Sequence, residues 1–236
     1  MKLSLIKIAF LLIISLFGAN TYAYGDPWDR EGYFGGLLNV SCNQWEPGLG
    51  NKSIPNRAMG GTFVGGFRIN DWFAVELSYD YLQSRSKQVS ANKNEQVLDR
   101  IIPSHQETHK GKFNLKGWGA SVGLFSDYLF DELQIFANIG IANLKPKVLH
   151  THVSTVAIIG LPEAFINVKE TLNAKSKYIP KASIGFHYMI EEWVGLRGSV
   201  TWYNTSRFGY ITNTNSQNSA KLKDTFVGSF GILFFI

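Results

Sequence analysis

Residues 73–81 read Phe-Ala-Val-Glu-Leu-Ser-Tyr-Asp-Tyr. Phe73, Val75, Leu77, Tyr79 and Tyr81 are all apolar or aromatic, while Ala74, Glu76, Ser78 and Asp80 between them are small or polar. Successive side chains of a strand point to opposite sides, so this is a strand with one apolar face. Seven further segments read the same way: 34–40, 63–69, 118–124, 135–141, 182–188, 194–202 and 226–236. Alternation is weakest in the last, where Val227, Leu233 and Phe235 interrupt the second face. Connections alternate in length, short at 70–71, 126–132 and 191–192 and long at 41–57, 83–112, 144–177 and 204–224. An even number of strands with short turns at one end and long loops at the other predicts an all-β fold. It is an eight-stranded antiparallel up-and-down transmembrane β-barrel.

The choice between a soluble and a membrane barrel rests on which face is large and apolar. One face carries Phe, Ile, Leu, Val and Trp. The other carries Gly, Ser, Thr, Asn and charged residues, including Glu76, Arg68, Lys181 and Arg197. An eight-stranded barrel has a lumen just wide enough for side chains, which suits the glycines of the second face. The apolar face therefore lies outside, against lipid. Trp72, Trp193, Tyr128 and Phe130 fall beside the short turns, and Tyr79, Tyr81, Trp118, Trp202 and Tyr203 toward the long loops. They read as two interfacial aromatic girdles.

Composition agrees. The 236 residues are 45% hydrophobic and only 17% charged, and the mean hydropathy of −0.04 excludes a multi-span helical protein. A single cysteine, Cys42, excludes an intramolecular disulfide and a Cys-rich metal centre. Residues 1–23 read as a cleaved signal peptide: Lys2 and Lys7, an apolar run over 8–17, then Thr21-Tyr22-Ala23. Residues 24–31 would form a short periplasmic segment and 32–236 the barrel.

The stretch 65–82 resembles the second hairpin of the OmpA-type transmembrane barrel, and 180–202 is similar to a later hairpin, through Gly185, Tyr188, Ile190, Arg197 and Trp202. The resemblance implies a small monomeric barrel in the outer membrane of a Gram-negative bacterium, in a family that includes surface antigens and adhesins. It also places Glu76 and Arg197 where the family has lumen charges. Three departures stand out. The chain ends in Ile236 rather than an aromatic, a lumen lysine of the family appears as Ser121, and no peptidoglycan-binding domain follows the barrel.

Glu76 and Arg197 also converge without the resemblance. Each lies four residues beyond an interfacial tryptophan, Trp72 or Trp193, on strands running the same way, so they share a height. A lumen carboxylate is costly unless paired, and Arg197 is the best partner, with Arg68, Lys181 and His187 as further lumen positives. The pair reads as a structural plug, with a small low-conductance pore gated by it as the alternative.

A lipid A-modifying outer-membrane enzyme is a second alternative. Tyr203-Asn204-Thr205-Ser206 offers a hydroxyl and an amide, but no local His or acid follows, so no catalytic constellation is read. His105 with His109, and His150 with His152, invite a metal reading. As two pairs on two separate loops without cysteine, they read as solvated loop histidines, and no metal or cofactor is expected.

Charge geography points to the working surface. The four long loops hold 16 Lys and Arg against 7 Asp and Glu, whereas the rest of the mature chain holds 5 against 11. A basic outer mouth suits lipopolysaccharide phosphates or a polyanionic host surface ligand. No nucleic-acid motif is present, so nucleic acid is not an expected partner. The apolar run within 147–161 (Val148, Leu149, Val153, Val156, Ile158, Ile159) is too apolar for a free loop. It reads as strands extended above the membrane, or else as a patch for a partner.

Overall fold

The computed structural model describes residues 32–46, 53–97, 100–126, 129, 132–156, 164–173, 175–208, 210–212 and 219–236. The expected signal peptide and the segment 24–31 lie outside the described residues. The strands are β1 (Gly32–Trp45), β2 (Arg57–Arg68), β3 (Phe73–Gln83), β4 (Lys87–Val97), β5 (Arg100–Phe125), β6 (Leu133–Val156), β7 (Ala164–Asn173), β8 (Lys177–Glu191), β9 (Val194–Tyr203), β10 (Tyr210–Thr212) and β11 (Ser219–Phe235). Eight of them close a ring in the order β1-β2-β3-β5-β6-β8-β9-β11 and back to β1, every pairing antiparallel. Ile236 completes the seam: its N–H donates to the Gly32 carbonyl at 2.8 Å and its carbonyl accepts from Gly32 at 3.2 Å. At the short turn between β2 and β3, Asn70 Oδ1 accepts from the backbone N–H groups of Trp72 and Phe73, the Asx arrangement that lets asparagine stand in for a backbone turn.

Two ranges expected as long loops are built mostly of paired strands. Within 83–112, β4 folds back onto the upper half of β5. Within 144–177, the upper half of β6 pairs with β5 on one side and β7 on the other. The apolar residues of 147–161 supply part of the reason. Val148 is fully buried and stands opposite Phe113 of β5 and Leu172 of β7, both buried as well. Strand extension is thus the arrangement through Val156; residues 157–163 lie outside the described residues.

The barrel reverses its polarity part way up. In the lower section the large apolar side chains are outside: Val75, Leu77, Val122, Leu124, Ile135, Ile139, Ile141, Ile184 and Phe230 are all exposed. Higher up they are inside. Leu82, Phe113, Leu115, Leu144, Val148, Ile179 and Leu222 are buried in one apolar cluster with Ile54, Phe208 and Ile211, and half-buried Trp45 packs against it. On β5 the apolar positions change from even (Trp118, Val122, Leu124) to odd (Leu115, Phe113), and Lys116 and Lys110 then face out. On β6 they change from odd (Ile139, Ile141) to even (Leu144, Val148), with Lys145 and Lys147 outside. A one-residue change of parity swaps the two faces of a strand. The lower section is thus built for lipid outside and the upper for water outside.

A test of the boundary follows. Ile139, 72% exposed, sits midway up the lower band. Ile139→Lys is expected to destabilise the barrel by about 2–4 kcal/mol, the cost of a lipid-facing lysine near the midplane. Thr151→Gln, on the outer face of the upper section, is expected to change it by less than about 0.5 kcal/mol. Urea titration in bilayer vesicles measures both.

Candidate functional site

The lumen is stacked in three layers. The lowest is aromatic. Tyr33, Phe125, Phe136 and Phe235 are buried there with Leu37, Val64, Ala74, Met189 and Leu233. His187 stands among these rings, with centroids 4.8 Å from Phe136 and 5.5 Å from both Tyr33 and Phe125. It therefore does not join the lumen ion pair as expected: among the described residues neither ring nitrogen has a hydrogen-bond partner. The sequence places His187 on the inward face correctly, but alternation does not reveal which neighbours share that layer. Arg68 belongs to the same layer, donating to Gln134 Oε1 and lying over the Phe125 ring at 5.0 Å.

Above it sits the charged layer. Arg197 grips Glu76 with both terminal nitrogens, Nη1 to Oε1 at 2.6 Å and Nη2 to Oε2 at 3.0 Å. Both side chains are at most 5% exposed. Tyr33 Oη donates to the same carboxylate and Asn138 Nδ2 donates to Oε2 at 2.5 Å. Tyr33 reaches Glu76 only because residue 66 is glycine; a Cβ there would fall inside the phenol ring. The guanidinium also lies 4.2 Å over Phe136, a favourable cation–π position. The two-point grip, the phenol and the amide together satisfy a charge that would otherwise be expensive to bury.

Over this layer lies a polar cavity of about 30 Å³, lined by Glu76, Ser78, Asp80, Lys181, Arg197 and Tyr203 among others, with room for one or two waters. Lys181 donates to Ser78 Oγ at 3.0 Å, and Tyr203 Oη donates to Asp80 Oδ2 at 2.9 Å. Tyr203 therefore points inward and is 3% exposed, one residue out of phase with the girdle position expected for it. The apolar cluster of the upper section closes the lumen above the cavity.

Outside, Trp72 and Trp193 are exposed at the short-turn end, and Tyr79, Tyr81 and Trp118 at the other. Trp202 is half-buried, and Tyr128 and Phe130 lie outside the described residues. Trp118 meets Tyr178 edge-on at 5.9 Å, a girdle member the sequence reading missed. Directly above this ring, Lys116 and Lys145 are cross-strand partners, both exposed. Lys147 follows two residues up β6, and higher still Lys110, Thr151 and Lys169 form a row across β5, β6 and β7. Among the described side chains of this outer face, from Gln88 and Ser90 on β4 to Lys169 and Thr171 on β7, there is no carboxylate. The parity change at residues 115–118 is the signal in the sequence that would have found this face.

Comparison with known proteins gives a consistent picture. Neisserial surface protein A aligns over 87% of this chain and 97% of its own, with 14% identity and a TM-score of 0.50. OprG of Pseudomonas aeruginosa aligns over 88% and 96% at 9% identity, TM-score 0.49. The attachment invasion locus protein of Yersinia pestis aligns over 86% and 99% at 11% identity, TM-score 0.41. No curated protein sequence matches. The model of the OmpA-like transmembrane domain matches residues 31–223. With a closed antiparallel ring, an apolar outside and a lumen filled with side chains beneath a water-facing extension, the chain belongs to the OmpA-like transmembrane domain family and is a protein of the bacterial outer membrane.

Proposed function

We propose that the protein is a non-enzymatic surface scaffold whose basic outer face engages the phosphate-rich headgroups of lipopolysaccharide. The observation that carries this is the Lys116–Lys145 pair. Like charges directly opposite each other on a sheet repel, and among the described side chains of this face no carboxylate offsets them. Lys116 stands two residues above Trp118, roughly 7 Å along the strand, so the pair sits where an aromatic girdle gives way to lipid headgroups. Lys147, Lys110 and Lys169 continue the positive surface outward, toward where a polyanion on a host cell would also approach.

The lumen supports neither alternative. A pore needs a wet path, whereas the small cavity lies between an aromatic layer and an apolar cluster. The hydroxyls at the mouth are engaged structurally: Thr205 Oγ1 donates to the Lys223 carbonyl and Ser206 Oγ to Asn204 Oδ1.

The test uses point substitutions, because deleting 83–112 would remove much of β5. In phosphatidylcholine vesicles, adding lipopolysaccharide is expected to raise the unfolding midpoint of the wild-type barrel. The Lys116→Glu/Lys145→Glu variant should lose that gain, worth about 1 kcal/mol for each lysine near an anionic surface. An equal gain in both proteins would rule out this face as the contact.

A further inference from the structure

On one side of the barrel the rings of the outer girdle are part of a larger array. Tyr79 of β3, Trp118 of β5, Asn143 of β6 and Tyr178 of β8 are successive cross-strand partners. They form one outward row in which the three rings are exposed, and Trp118 meets Tyr178 across the position of Asn143. Neighbouring strands lie about 4.8 Å apart, so the row spans about 14 Å. Residues i and i+2 of a strand share a face. The next outward row is therefore Tyr81, Lys116 and Lys145, and the one above it Gln83, Asn114 and Lys147. Tyr81 Oη donates to Gln83 Oε1 at 2.6 Å and ties the two upper rows together. From the membrane outward the sector reads rings, then lysines, then amides with a further lysine. The girdle at the short turns differs. Trp72 and Trp193 are exposed there too, but beside exposed Asp71, Glu191 and Glu192. Holding depth in a membrane needs only amphipathic rings at the interface, and both ends have them. Among the described residues, outward lysines accompany the rings only at the long-loop end.

We propose that this sector is a subsite for the phosphorylated amino-sugar headgroup of lipopolysaccharide in the surrounding membrane. Sugar rings lie against Tyr79, Trp118 and Tyr178, and phosphates meet Lys116, Lys145 and Lys147. The inference rests on the reading of the basic face given above and adds the sugar to it. A pyranose ring has an apolar face of C–H bonds and a rim of hydroxyls. Tyrosine and tryptophan offer a matching apolar body with a polar tip. Asn143, Gln83 and Asn114 carry amides that both donate and accept, as sugar hydroxyls require. The lysines supply charge complementary to phosphate. Lys116 and Lys145 stand two residues above Trp118 and Asn143, about 7 Å along the strands, so a sugar held by the lower row carries its phosphate outward into theirs. An anionic phospholipid would engage the lysines and offer the rings only acyl chain. The sector therefore separates a saccharide lipid from a phospholipid of equal charge.

The test measures the urea unfolding midpoint of the intact barrel in phosphatidylcholine vesicles, with added lipopolysaccharide or with phosphatidylglycerol at matched surface charge. Lipopolysaccharide is expected to raise the wild-type midpoint more than phosphatidylglycerol does. Trp118→Leu/Tyr178→Leu keeps the surface apolar and should lose that excess while retaining the gain from phosphatidylglycerol. Lys116→Glu/Lys145→Glu should lose both gains. Heat-modifiable mobility on a gel confirms that each variant is folded. Equal wild-type gains from the two lipids, or an undiminished excess in the leucine variant, would overturn the sugar subsite and leave the basic face standing. No wild-type gain from lipopolysaccharide would overturn the basic face and the subsite with it. The wild-type comparison needs no variant, so it decides the matter even where the leucine variant fails to fold.

Discussion

Glu76→Ala is expected to destabilise the barrel by about 3–5 kcal/mol, the usual cost of removing one partner of a buried ion pair. The carboxylate accepts four hydrogen bonds, two from Arg197 and one each from Tyr33 and Asn138. Its loss strands a guanidinium that is 4% exposed, with the Phe136 ring as its remaining favourable contact of this kind. A cation–π contact is worth about 2 kcal/mol when desolvated, too little to hold a buried charge alone. Glu76→Gln keeps the shape but loses the charge and should fall between wild type and alanine. The double variant Glu76→Leu/Arg197→Met should recover most of the loss, because well-packed apolar residues can replace a buried pair at little cost. Urea midpoints in micelles measure the series. A Glu76→Ala barrel that unfolds with the wild type would show that the lumen pair does not hold the fold.

The second large effect is expected at Phe113, which is fully buried at the centre of the upper apolar cluster and meets Trp45 edge-on at 5.1 Å. Phe113→Ala should cost about 3–5 kcal/mol locally. Its readout should differ from that of Glu76. The upper section is cored and water-facing, so it should loosen while the lipid-facing ring stays closed. Limited proteolysis is expected to cut the variant within β4 to β7 and leave a protected barrel. Planar-bilayer recordings should stay silent for both wild type and variant, because the aromatic layer around His187 still blocks the lower lumen. A steady conductance from the wild type would contradict the layered lumen.

The two predictions also separate what could be read in the sequence from what could not. The ring of eight strands follows from alternation alone, as 73–81 shows, because a lipid-facing strand repeats every two residues. The Glu76–Arg197 pair follows from equal offsets beyond Trp72 and Trp193. The upper section was hidden for a different reason. β4 reads Lys-Gln-Val-Ser-Ala-Asn-Lys-Asn-Glu-Gln-Val, with little apolar alternation, so its pairing with β5 comes from chain continuity rather than pattern. His109 and His150 meet, with ring centroids 5.4 Å apart, because β5 and β6 remain in register for twenty consecutive pairs. No feature local to 105–109 or 150–152 announces that register. Two further residues show other limits: Tyr203 shares the inward parity of Thr201 although its residue type suggested a girdle, and for His187 parity gives the direction of the side chain but not the layer it joins.

The change of parity along β5 and β6 has a mechanical consequence. It fixes how deep the molecule floats. Sliding the barrel inward by two residues, roughly 7 Å, would carry Lys116 and Lys145 toward hydrocarbon. Sliding it outward would lift Val122 and Ile141 into water. Both displacements are opposed, so the line between Leu115 and Trp118 acts as a waterline. Leu82 of β3 and Ile179 of β8 turn inward at the same level, so tilting the axis toward this side submerges Lys116 and Lys145, and tilting it away lifts Val122 and Ile141 into water. The Lys116→Glu/Lys145→Glu variant keeps a charge at each position, so it should ride at the same depth and report on surface binding alone.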